Sequence, residues 1–162
     1  MDNTATVSIR LATANDHRTV GDMVCRLLCE LVPDNYDMSD AAKFSETAEK
    51  LLAPDNGFWV ALAFQKNNDG SERPVGMMSL DEGHALYAHG SLGEIMELYV
   101  DPSQRSSGLG ARLIDFAVAF GREQGWSMIE VGAPDLPRWQ RTVDFYLRYG
   151  FKEIGPRLEY DL

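Results

Sequence analysis

Cysteine is scarce in this chain. Cys25 and Cys29 are the only two in 162 residues. They lie four apart in a stretch of helical apolar spacing, where a disulfide has poor geometry, and two thiols alone complete no zinc site. They read as ordinary reduced helix residues. Long apolar runs are missing too: nothing approaches the roughly 18 consecutive apolar residues of a membrane span, so no membrane association is expected. The first ten residues, Met1 to Arg10, hold no apolar core of a secretory leader. With the reduced thiols, this sets the expectation of a cytoplasmic protein. Positive charge is in deficit, 15 Lys and Arg against 25 Asp and Glu, for a net charge of −10 and a pI near 4.7. That excludes a general nucleic-acid binder and a protein drawn to anionic membrane by bulk charge. Internal repeats, low-complexity tracts and linkers of domain-boundary type are absent as well.

What is present fits one globular domain over residues 1–162, since a domain typically runs about 100–200 residues. Hydrophobic residues make up 44% and charged residues 25%, near the globular average. The charge is uneven. Residues 1–100 carry 7 basic and 16 acidic side chains, and residues 101–162 carry 8 and 9. Seven arginines fall in the second part: Arg105, Arg112, Arg122, Arg138, Arg141, Arg148 and Arg157. Such asymmetry suggests two kinds of ligand, or simply a solvated acidic face.

Periodicity gives the element order. Val7 to Leu11 alternates and predicts a strand. Asn15 or Asp16 caps a helix with Val20, Met23, Val24, Leu27, Leu28 and Leu31 on one stripe, ended by Pro33. A second helix follows Ser39, with Phe44, Ala48, Leu51 and Leu52 inward, and stops at Pro54. Strands are expected at Phe58–Gln65 and at Pro74 to about Asp81, joined by an Asn-Asn-Asp-Gly turn. The glycine-rich stretch Glu82–Gly93 reads as turn-like at its end. Glu94–Val100 is a strand carrying two carboxylates, broken by Asp101-Pro102. A helix opens near Leu109 and closes at Gly125, Ser127–Val131 is a strand, and Pro137 starts a helix ended by Gly150. Phe151–Ile154 and Leu158–Leu162 read as final extended pieces. The order predicts an α/β protein with a mixed sheet.

The most informative unit is strand, glycine loop and helix over 94–124. Small residues at Ser106, Ser107, Gly108 and Gly110 let backbone N–H groups approach an anion, and the helix starting there adds its positive end. Phosphate or pyrophosphate is the natural guest. The loop lacks the Gly-Lys-Ser/Thr of a Walker A motif and the G-x-G-x-x-G of a dinucleotide fingerprint.

Arg105-x-x-Gly108-x-Gly110 is similar to the (Arg/Gln)-x-x-Gly-x-(Gly/Ala) motif of the GNAT superfamily of N-acetyltransferases. Glu97-Leu98-Tyr99-Val100-Asp101-Pro102 before it and the amphipathic helix after it resemble that family's motif A setting. Phe145-Tyr146-Leu147-Arg148-Tyr149-Gly150-Phe151 resembles its motif B. The element order also fits, so the resemblance covers nearly the whole chain. It implies the GNAT (acyl-CoA N-acyltransferase) fold: a mixed, mostly antiparallel sheet of about six to seven strands flanked by about four helices.

The same resemblance implies acetyl-CoA as co-substrate, no metal, and direct acetyl transfer from the thioester to an amine. Backbone groups of Leu98, Tyr99 and Val100 would pair with the pantetheine amides. Arg105, Ser106, Ser107, Gly108, Leu109, Gly110 and Ala111 would hold the pyrophosphate, with Arg105, Arg112, Arg141 and Arg148 as candidate cations. Many members carry an asparagine where this chain has Trp139, so that position is either an indole against the pantetheine arm or core packing. Tyr146 matches the tyrosine that protonates the departing thiolate in several members. A thiol pKa near 8.5 and a phenol pKa near 10 are close to matched for that transfer.

An arriving ammonium must also lose a proton. Glu94 stands eleven residues before Arg105 and Glu97 eight before, and each position carries an acidic residue in one branch of the family. Regular alternation puts them on opposite faces, and a bulge would alter that count. Glu97 is slightly favoured as the base. His17, His84 and His89 show no metal spacing and receive no role. The resemblance implies an acceptor groove built largely from the first two helices and nearby loops, and here that stretch is acidic, with Glu30, Asp34, Asp37, Asp40, Glu46, Glu49 and Asp55 against Lys43 and Lys50, which favours a cationic small-molecule amine as acceptor. Transfer to a protein N-terminus or lysine, or an acyl-CoA-binding sensor without turnover, are the alternatives. A homodimer is a family-level expectation only.

Overall fold

Alternation at Val7–Leu11 makes β1 of a computed structural model that describes residues 6–162. The chain continues through α1 (His17–Leu31), α2 (Ala41–Leu51), β2 (Phe58–Lys66), β3 (Glu72–Ala85), β4 (Gly90–Val100), α3 (Leu109–Gln124), β5 (Ile129–Val131) and α4 (Gln140–Tyr149). The sheet order is β1-β2-β3-β4-β5, with β1 to β4 antiparallel. The chain runs the same way at the β4–β5 join, where the Gly93 N–H donates to the Met128 carbonyl and the Ser127 N–H to the Ser91 carbonyl. Residues divide into two compact units after Glu130. No described helix is long and apolar enough to cross a membrane.

In the first unit the two faces of the sheet are covered by different helices. Val20 and Met23 of α1 and Ala48 of α2 pack with Val60, Leu62, Met77 and Tyr99 on one face. Gly21 is what lets the two helices cross closely, since a Cβ there would come within 2.4 Å of the Ser45 backbone nitrogen. On the other face α3 buries Leu109, Leu113, Ile114 and Ala117. Gly76 of β3 admits it: a Cβ would meet Leu109 at 3.3 Å. Trp59, Phe120 and Trp126 form an aromatic cluster with ring centroids 5.1–5.9 Å apart.

Three sequence expectations need correction. Glu82–Gly93 is not turn-like at its end: β3 runs on to Ala85, and β4 already begins at Gly90. The glycines suggested a loop, yet Gly93 is there because a Cβ would strike the Trp126 ring at 2.2 Å. Only residues 86–89 turn, with His89 at φ 56. Among the described residues the sheet has five strands rather than six to seven, because Phe151–Ile154 and Leu158–Leu162 form none. Gly155 at φ 138 followed by Pro156 interrupts that tail, and period-two patterning alone makes no ladder. The last two elements are also shorter than expected, with β5 starting at Ile129 and α4 at Gln140.

In the second unit, Tyr146 packs between Phe145 and Phe151 with centroids 5.3 and 5.4 Å away. The Phe151 N–H donates back to the Tyr146 carbonyl and closes the C-terminus of α4.

Candidate active site

The centre of β4 departs from regular pairing. Met78 faces Leu98 and Leu80 faces Ile95, so Ser79 alone stands opposite Met96 and Glu97. Two residues against one is a β-bulge. The extra residue resets the alternation. Tyr99 is paired with Met77 and Glu94 with Asp81, and Met77, Ser79 and Asp81 point the same way. Glu97 is bonded to Ser79. Glu94, Glu97 and Tyr99 therefore share the face that carries α1 and α2, where unbroken alternation would have split the two glutamates.

Ser79 is hydrogen-bonded at the bulge. The Glu97 N–H, displaced from the ladder, donates to the Ser79 Oγ at 2.9 Å. The Ser79 hydroxyl in turn donates to Glu97 Oε2. Burial pushes the Glu97 carboxyl above the ordinary range, and the Ser79 hydroxyl draws it part of the way back. Asp81 is also raised, first by burial and then by the like charges of Glu94 and Glu82. This face thus offers one half-buried carboxylate prepared to take a proton, beside two more that make it electronegative.

Past Val100 the chain turns into the loop. Asp101 accepts from the Ser103 N–H at 2.9 Å and starts a short helical turn over Pro102–Gln104. Ser106 at φ 65 and Gly108 at φ 86 then reverse the chain into α3. Gly108 is the N-cap and supplies no side-chain cap, and the first helical bond runs from the Arg112 N–H to the Gly108 carbonyl. The N–H groups of Leu109, Gly110 and Ala111 precede that bond, so they are the donors an anion would meet, reinforced by the helix dipole. Ser106, Ser107 and Gly108 are exposed, which leaves this cradle open to a phosphate-sized guest. The geometry fits the pyrophosphate of coenzyme A.

The side chains expected to help are differently employed. Arg105 Nη2 pairs with both Glu30 oxygens, at 2.6 and 2.8 Å, and its Nε donates to the Val100 carbonyl at 3.0 Å. Arg112 Nη2 donates to the Val7 carbonyl at 2.7 Å. Arg105 anchors the loop to α1, and Arg112 anchors α3 to β1. Tyr99 turns into the α1/α2 core, leaving its backbone for any cofactor. Leu98 and Val100 hold their ladder positions opposite Met78 and Gly76.

In the second unit, Trp139 caps α4 and lies under Arg138, whose Cζ is 5.2 Å from the ring centroid. Arg141 and Arg148 are exposed on α4. Tyr146 is buried, and desolvation pushes its phenol up to about 12. It keeps its proton across the working pH range.

Sequence reasoning missed Ser79. Its signal was weak, a single polar residue inside the apolar run Met77-Met78-Ser79-Leu80.

Residues 22–151 match the model of the acetyltransferase (GNAT) family. An aminoalkylphosphonate N-acetyltransferase of Salmonella typhimurium is 32% identical over 145 residues, covering 90% of this chain and 84% of that protein. A peptidyl-lysine N-acetyltransferase of Escherichia coli is 24% identical, covering 83% and 78%. Among solved structures, an aminoglycoside acetyltransferase from a soil metagenomic sample superposes with a TM-score of 0.75 at 25% identity, covering 96% of both chains. A ribosomal-protein-alanine N-acetyltransferase of Brucella melitensis shares the fold, with a TM-score of 0.71 at 21% identity and coverage of 97% and 99%.

Proposed function

The chain belongs to the acetyltransferase (GNAT) family and is an N-acetyltransferase, and on that premise we propose that it moves an acetyl group from acetyl-CoA directly to the primary amine of a small cationic molecule. The family match runs across the division at Glu130, so both units are read as one N-acetyltransferase domain. The reading implies a cytoplasmic enzyme.

The observation that carries it is the Glu97 carboxylate, half-buried and raised above its ordinary range on a bulged strand. An amine reaches the enzyme as ammonium and becomes nucleophilic only after losing a proton. A carboxylate whose pKa lies nearer neutrality accepts that proton better than an exposed one. Asp81 and Glu94 on the same face add attraction for the cation.

Acetyl-CoA supplies the activated thioester. The N–H groups of Leu109, Gly110 and Ala111 would hold its pyrophosphate, and the backbone of Leu98, Tyr99 and Val100 its pantetheine amides. Glu97 takes the ammonium proton and later releases it to solvent. Tyr146 is the candidate donor to the departing sulfur. With the phenol at about 12 against a free thiol near 8.5, full transfer is less matched than ordinary values suggest. Hydrogen-bond donation to the developing thiolate is its main contribution.

The relatives named for their acceptors act on amines of different character: an aminoalkylphosphonate, a peptidyl lysine, an aminoglycoside. An aminoalkylphosphonate carries an anion beside its amine and fits the Asp81–Glu94–Glu97 face less well than a polycation does. The test is release of free thiol from acetyl-CoA against a panel of polyamines, aminoglycosides, aminoalkylphosphonates and lysine peptides. Highest kcat/KM on the polycations is expected. Preference for the phosphonates or peptides would overturn the acceptor class.

A further inference from the structure

Among the described residues other than glycine, Ser79 is the one buried residue outside the hydrophobic and aromatic types, at 1% exposure. A buried hydroxyl without partners costs about 1–3 kcal/mol, so its bonds account for its presence. Both of them go to Glu97. One lone pair takes the Glu97 backbone N–H, and the proton is given to the Glu97 carboxylate. A hydroxyl can do both at once because it has one donor and two acceptor sites. The neighbours of Ser79 on β3, Met78 and Leu80, are fully buried and apolar, so core packing alone would favour an apolar residue there.

We propose that Ser79 is a positioning residue for Glu97, its hydroxyl holding the bulged backbone and the carboxylate in one arrangement. The inference deepens the reading of Glu97 as base and rests on it for its catalytic meaning. Neither bond alone would suffice. The backbone bond fixes where the bulge falls, and so which face Glu97 takes. The carboxylate bond fixes the rotamer and favours the ionised form, against the burial that disfavours it.

Other charges on this face act elsewhere. Asp81 on β3 and Glu94 on β4 bear on each other. From α1, Arg26 and Glu30 act on Tyr99, and Arg26 is itself paired with Asp22 at 2.8 Å. The α2 side packs with Ala48 and Leu52, neither charged. Burial and the Ser79 hydroxyl are the two influences that set Glu97.

The experiment is a carbon-13 NMR titration of glutamate side-chain carboxyls in the full chain, with the Glu97 resonance assigned by its loss in Glu97→Gln. In Ser79→Ala the Glu97 pKa rises by about one unit or more, because the group favouring the charged form is gone. Ser79→Thr keeps the hydroxyl and restores the wild-type value. Should Ser79→Ala fail to fold, Ser79→Cys carries the same test, its weaker donor giving a smaller rise. A Glu97 pKa that stays within about 0.3 units in the variants lacking the hydroxyl overturns the proposal, since a merely structural serine would lower the melting temperature and leave the titration in place. The acid limb of kcat/KM is measured alongside. If limb and titration move together, Ser79 positions the catalytic base. If the titration moves and the limb does not, Ser79 still holds Glu97, and it is the base reading that falls.

Discussion

Arg105 and Glu30 form a two-contact ion pair at 2.6 and 2.8 Å, so the first residue of the glycine loop is tied to the last turn of α1. One edge of the proposed coenzyme A cradle is thereby fixed to a helix that covers the face where Glu97 lies. The side chains are 44% and 34% exposed, so the pair contributes only about 0–1 kcal/mol to folding. Its value is in the loop's position.

Glu30→Gln should therefore leave thermal stability nearly unchanged while raising KM for acetyl-CoA severalfold, with kcat kept. Arg105→Ala should do the same, and the double variant should be no worse than either single one. Steady-state kinetics with acetyl-CoA varied checks this. A lower KM in Glu30→Gln would mean that Glu30 sequesters an arginine the cofactor wants.

Gly108 and Gly125 make a controlled pair. Both have positive φ, 86 and 79, and a Cβ at either would meet nothing within 4 Å. Gly108→Ala and Gly125→Ala each incur about 1–2 kcal/mol of backbone strain and should lower Tm alike. Only Gly108→Ala should weaken acetyl-CoA binding, by tenfold or more, because only that Cβ enters the cradle. Calorimetry that finds equal affinities would remove the loop from the binding site.

Burial of Glu97 has a stability consequence of definite sign. Its folded pKa is raised above the unfolded value, so the folded state binds the proton more tightly. Its contribution is most favourable at low pH and is lost as pH rises through the folded pKa. Glu97→Gln, neutral at every pH, should raise Tm at neutral pH and lose that advantage near pH 4. A Tm gain that does not vary with pH would contradict the assignment. Stability gained where activity falls is the usual trade at a functional position.

Tyr146→Phe keeps the ring packed against Phe145 and edge-on to Phe151 and removes the hydroxyl. A donor to the leaving sulfur should show as a loss of roughly 10²-fold in kcat with KM for acetyl-CoA nearly unchanged. With the phenol near 12, wild-type kcat should show no basic limb from this group below about pH 11. A kcat within about twofold of wild type would take Tyr146 off the catalytic list.

How much was legible in the sequence depends on which residues carried the information. The turn from Arg105 to Gly110 and the helix after it were readable, because small residues, a glycine at positive φ and an amphipathic run follow in immediate succession. The extent of β3 and β4 was not. Gly83, Gly90 and Gly93 look like turn residues, and Gly93 answers instead to Trp126, more than thirty positions away. The shared face of Glu94 and Glu97 was undecidable, because a bulge belongs to the pairing of two strands and to neither alone. Ser79 was invisible for the same reason, since its partners lie on the other strand. The five-stranded sheet shows the converse error, alternation at Leu158–Leu162 that makes no strand.

The central claim is that Glu97 removes the acceptor's proton, and the pH dependence of kcat/KM in Glu97→Gln beside Glu94→Gln tests it most directly. Near neutral pH, Glu97→Gln should lose roughly a hundredfold or more, and the deficit should shrink as pH approaches the amine pKa, where the acceptor arrives already deprotonated. Glu94→Gln, which softens the electronegative face without touching the base, should mainly raise KM for the acceptor. A Glu97→Gln deficit that stays flat from pH 7 to 10, or a pH-dependent loss that appears in Glu94→Gln instead, would contradict the account.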